Sequence, residues 1–153
     1  MKKLFLLIVS VLLILSCVSS KQLTPTSQSE VVNATGKTKD ELYIRANTWM
    51  VEVFNNAKSV IQFSDKESGI VAGKYLMNVI ITSTTTRNEV YSIIKIQVKD
   101  EGAKITITPE TYQNNANVFA GGVSYPLEKL NADIEALMNN FSENIVETEN
   151  TNW

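Results

Sequence analysis

The sequence predicts an α+β domain, a two-layer sandwich in which an antiparallel sheet carries two helices on one face, in the order β-α-β-β-β-β-α. Three observations predict it. Residues 42–57 place apolar side chains at helical spacing. Residues 59–108 alternate apolar and polar side chains between short turns. Residues 127–141 return to the helical spacing. A helix stripe and one sheet face must each leave water, and packing one on the other buries both.

Val31 and Val32 open the domain as a short strand. The first helix is read from "TKDELYIRANTWMVEVFNNA", where Thr38 and Glu41 have capping-box spacing and Asp40 and Glu41 suit the positive helix start. Leu42, Ala46, Trp49, Met50, Val53, Phe54 and Ala57 share one face, so Trp49 reads as a core anchor rather than a ligand contact. "SVIQFS" is a strand and "DKESG" its turn. In "IVAGKYLMNVII", Val71, Gly73, Tyr75, Met77, Val79 and Ile81 point inward by alternation; Val90, Ser92, Ile94, Ile96 and Val98 do so in the next strand, and Ala103, Ile105 and Ile107 in the last. The second helix follows Gly121-Gly122, with Ser124 as N-cap, Pro126 in the first turn, and Leu127, Leu130, Ile134, Leu137, Met138 and Phe141 as its apolar face.

Ahead of the domain stands "MKKLFLLIVSVLLILSC". Lys2 and Lys3 form a positive n-region, and Leu4 to Leu15 is an apolar run broken only by Ser10. This is the pattern of a secretory signal, and the run falls short of the roughly 20 residues a permanent span needs. Its end, Ile14-Leu15-Ser16-Cys17, resembles a bacterial lipobox. The resemblance implies cleavage before Cys17 and a lipid on its sulfur, which accounts for the chain's single cysteine. An ordinary secretory signal with an incidental cysteine is the plainer alternative; the shared register of all four features favours the lipid. Residues 1–16 are thus a lipoprotein signal peptide, 17–29 the lipidated Cys17 and a polar tether, 30–147 the domain, and 148–153 a polar tail. Val18 follows the cysteine, not an aspartate, and Ser19, Ser20, Lys21 and Gln22 form no acidic cluster. The expected place is the bacterial envelope, lipid-anchored, on the outer membrane facing the periplasm.

The segments "TKDELYIRANTWMVEVF" and "VIQFSDKESGIVAGK" resemble an uncharacterised domain family of Bacteroidetes-type lipoproteins, a domain of unknown function with a TBP-like fold. The resemblance spans roughly residues 31–141. It implies a curved antiparallel sheet with helices on its convex side, as in half of the TATA-box binding protein. It implies no activity, and a fold does not carry its namesake's function.

Composition narrows the chemistry. Fourteen basic residues face sixteen acidic ones; without Lys2 and Lys3, twelve face sixteen, a net charge of −4. That balance argues against general nucleic-acid binding. There is no histidine, which removes the commonest general base and any ordinary Ser-His-Asp triad. Ser92 and Lys95 have S-x-x-K spacing, but on a strand they point to opposite faces. Asp65, Glu67 and Gly69 carry oxygen donors, yet an EF-hand counted from Asp65 would need an acid where Leu76 stands. The sequons at Asn33 and Asn140 are chance matches in a bacterial chain. No catalytic residue, metal or cofactor is expected.

The sheet face away from the helices is more telling. Alternation puts Lys74, Leu76, Asn78 and Ile80 there, beside Tyr91, Ile93, Lys95, Gln97, Lys99, Lys104, Thr106 and Thr108. Leu76, Ile80, Tyr91 and Ile93 are apolar where a solvated face needs none, and Lys74 and Lys95 belong to a basic rim. The expectation is a binding or interaction module that meets an unknown envelope protein or ligand, or another copy of itself, on that face. An enzyme of unrecognised type and a structural subunit of an envelope complex are the alternatives.

Overall fold

The structure, a computed structural model, describes residues 25–55, 59–81, 87–110, 112 and 125–147. The expected signal peptide, Cys17, most of the expected tether, Ala57, Ser124 and the expected tail lie outside them. The elements are β1 (Gln28–Asn33), α1 (Lys39–Val53), β2 (Val60–Asp65), β3 (Ile70–Ile81), β4 (Arg87–Lys99), β5 (Gly102–Pro109) and α2 (Leu127–Val146). The five strands form one antiparallel sheet in the order β1-β5-β4-β3-β2. The chain therefore starts at one edge, crosses the sheet as α1, and builds back from the other edge strand by strand. Both helices lie on one face, as the sequence predicts.

Local chemistry sets the element ends. Thr38 Oγ1 accepts the Glu41 N–H at 3.3 Å, the first half of a capping box. The second half is replaced: the Glu41 carboxylate pairs with Lys37 at 3.0 Å and Arg45 at 3.4 Å, and the Lys37 bond holds it below its usual range. Asp100, from the β4–β5 turn, satisfies a different donor of the first turn, accepting the Lys39 N–H at 2.8 Å. That turn needs a left-handed residue, and Glu101 supplies it at φ 60°. α2 starts at Leu127 with Pro126 at the N-cap itself, not inside the first turn.

The core lies between the layers. Leu42, Ala46, Trp49 and Met50 of α1, with Leu130, Ile134, Met138, Phe141 and Ile145 of α2, cover Val90, Ile94 and Ile96 of β4 and Ile105 and Ile107 of β5. α2 is further tied to edge strand β1, where Ser142 Oγ donates to Glu30 at 2.8 Å and Gln28 Nε2 to Asn131 at 2.9 Å.

One expectation fails in β3. Its pairing with β4 runs evenly to Leu76 opposite Tyr91, then resumes with Asn78 opposite Val90. A β-bulge adds one residue there, so every side chain beyond it changes face. Ile80, expected on the open face, is buried in the core at 1% exposure. Asn78 turns to the helix side with it, while Ile81, expected inside, is exposed.

Candidate interaction face

Cross-strand register arranges the open face in rows. Phe63, Ala72, Lys95, Thr106 and Ser29 form one row from β2 to β1. The next is Val60, Lys74, Ile93 and Thr108, whose hydroxyl meets Ser27 Oγ at 2.9 Å. Leu76 and Tyr91 form the third. Leu76, Tyr91 and Ile93, three of the four apolar residues expected here, thus lie together and half-buried, while Ile80 does not join them.

Lys74 is not a free cation. Its Nζ lies 2.8 Å from Glu110 and 4.5 Å from the centre of the Tyr91 ring, a cation–π contact. Tyr91 donates to Glu89 at 2.7 Å, and that bond raises the phenol above its ordinary value. The ring is therefore held between two charged neighbours. Lys95, Lys99 and Lys104 differ: they make no ion pair with any described residue, and all three are exposed. Lys99 and Lys104 border a shallow groove of about 480 Å³, also lined by Val31, Ser68, Gln97 and Gly102. The outer layer has the opposite sign, since α2 carries Glu128, Asp133, Glu135 and Glu143 against Lys129 alone.

Other candidate chemistry is spent on structure. Ser92 is buried beneath the helices and Lys95 is exposed opposite it, so the S-x-x-K pair does not meet. Asp65 uses both carboxylate oxygens on its own turn, accepting from the Glu67 N–H at 3.0 Å and the Ser68 N–H at 3.3 Å; the Ser68 and Glu67 bonds hold it below its usual range. Among the described residues no group of acids, cysteines or histidines could hold a metal ion. Burial raises Tyr75 and Tyr125, and Tyr125 donates to Asp133 at 2.7 Å beside Lys129, which anchors the start of α2.

Phe63, Val60 and Val31 also belong to the open face and were not foreseen. Their faces follow from which strands are neighbours, and alternation within one strand carries no such information.

Comparison with known proteins places this geometry. A family described as a domain of unknown function (DUF4468) with TBP-like fold matches residues 29–113. A TBP-like protein from Parabacteroides distasonis superposes with a TM-score of 0.57 at 16% identity, covering 80% of this chain and 94% of that one. A DUF4468 family protein from Bacteroides ovatus superposes at 0.53 with 15% identity, covering 88% and 95%. At such identities the likeness speaks for the fold alone. A search of curated proteins finds no match.

Proposed function

The chain belongs to the DUF4468 family, a domain of unknown function with TBP-like fold, and on that premise we propose that it is a lipid-anchored binding module of the bacterial envelope that receives an acidic protein partner on its open sheet face. One observation carries the reading: Leu76, Tyr91 and Ile93 form an apolar centre on a face where Lys95, Lys99 and Lys104 have no ion-pair partner among the described residues. An apolar centre with a polar rim is the common layout of an interface. Unpaired lysines favour a partner of opposite charge, and steer it at low salt. The lipobox-like leader supports an exported location, where DNA is not the ligand.

The test is a photo-cross-linking residue placed at Thr106 on the sheet, or at Glu135 on the helix layer, in cells making the full chain. Thr106 adducts that vanish with Tyr91→Ser/Ile93→Ser are expected. Adducts from Glu135 alone, or Thr106 adducts indifferent to the double substitution, refute the proposal.

A further inference from the structure

The large apolar side chains left exposed are not spread evenly. Among the described residues they are Val31, Ile44, Val51, Val60, Ile61, Phe63, Ile81 and Val146. Five of them, Ile44, Val51, Val60, Ile61 and Phe63, belong to α1 and β2. Ile44, Asn47 and Val51 lie three and four residues apart, which is one face of α1. Asn47 Oδ1 accepts from Ser64 Oγ of β2 at 2.8 Å, and that hydroxyl meets Tyr43 at 2.6 Å. The helix stripe and the strand thus share one flank of the molecule. Phe63 is 51% exposed there and Val51 64%.

β2 is also a sheet edge, with β3 as its only neighbour among the described strands. Edges present unpaired N–H and C=O groups, and proteins blunt them with charge or cover. The other edge, β1, has Glu30 and is tied to α2. β2 carries no charge from Val60 to Ser64. What it has instead is a bulge between Ile61 and Phe63. A bulge deters indiscriminate pairing, but it also selects the register that fits. Val60 lies opposite Lys74 and Phe63 opposite Ala72, so both face the open side, while Ile61, opposite Gly73, faces the helices.

We propose that this flank is where a second copy of the chain docks, its β2 pairing antiparallel with the first across a two-fold axis between Ile61 and Gln62. In that register Val60 of each copy stands beside Phe63 of the other, both on the open side. The two α1 stripes then close over the seam, Ile44 towards Val51. The choice of a second copy rests on charge and symmetry. An isologous interface brings each residue near the axis against its own counterpart, and like charges there repel. Near that axis the described residues carry none: Ile44, Asn47, Thr48, Val51 and the strand from Val60 to Ser64 are all uncharged. The nearest charges on the stripe and strand, Asp40 with its partner Lys66, and Asp65, lie away from the axis at one end. Val60 and Phe63 stand at the β2 border of the open face, but Ile44 and Val51 belong to this flank alone, and Val51→Lys leaves Leu76, Tyr91 and Ile93 untouched, so either proposal can fail without the other.

The experiment measures the mass of the full chain in detergent by sedimentation, from low to high micromolar concentration. A dimer is expected, lost in Phe63→Lys and Val51→Lys and kept in Ile81→Lys, an exposed apolar position elsewhere. Circular dichroism checks that each variant is folded. Should the lysine variants unfold, two differently tagged full chains in a Cys17→Ser background are oxidised together, one with Val60→Cys and one with Phe63→Cys. A disulfide between the two tags supports the register, and its absence overturns it. A parent chain that stays monomeric at every concentration, or a dimer indifferent to both lysine substitutions, also overturns the proposal.

Discussion

Trp49 Nε1 donates to Asn140 Oδ1 at 2.7 Å, which fastens α1 to α2 by one hydrogen bond at the rim of the core. The same indole meets Phe141 edge-on, with ring centres 5.2 Å apart. One side chain therefore joins both helices to each other and, through its burial, to the sheet. Trp49→Ala is expected to cost about 3–5 kcal/mol from the lost ring and the cavity. Trp49→Phe keeps most of the packing and is expected to cost about 1–2 kcal/mol for the bond. Chemical denaturation measures both, and equal midpoints for the two variants contradict this division.

The bulge in β3 makes a sharp prediction about neighbouring strands. Ile80 is in the core and Ile93 half-buried on the open face. Ile80→Ala is expected to cost about 2–5 kcal/mol, and Ile93→Ala about 1 kcal/mol, in keeping with its partial burial. A reversed order in thermal melts means that the register returns to simple alternation.

Gly73 is where α1 presses on the sheet. A Cβ there would meet Phe54 Cε2 at 2.5 Å and the Val60 carbonyl oxygen at 2.7 Å. The ring can turn aside, but the strand carbonyl cannot. Gly73→Ala is expected to destabilise by about 1–3 kcal/mol through overpacking, read as a lowered midpoint in urea.

Alkaline pH acts through the buried tyrosines. Burial first, then the bond to Asp133, raises Tyr125 well above its ordinary 10.0, and burial raises Tyr75 in the same direction. Folding favours the neutral phenol, so this stability is complete below pH 10 and is lost as pH rises towards the folded value. The melting temperature is expected to fall above pH 10, and Tyr125→Phe to make that fall shallower. An identical alkaline profile for the variant shows that Tyr125 is not the group responsible.

Lipid attachment at Cys17 is tested by fractionating cells that make Cys17→Ser. The variant is expected to leave the membrane fraction and to lack the mass of the acyl chains. Retention on the membrane with unchanged mass removes the anchor from the proposal.

The sequence by itself determined the kinds of element and their order. Period-two alternation in β4 and β5 put Ile94, Ile96, Ile105 and Ile107 inside, and helical spacing did the same for Leu42, Met50, Ile134 and Phe141. Both periods follow from backbone geometry alone. Tertiary structure decided the rest. The bulge after Leu76 is hidden from alternation because Val79 and Ile80 are both apolar, and either register sends one of the two inward. Which strands are neighbours, and hence that Phe63 flanks Ala72 and that Glu110 neutralises Lys74, depends on contacts between residues distant in the chain. Those contacts form only when the sheet assembles beneath its helices, so no local pattern could announce them.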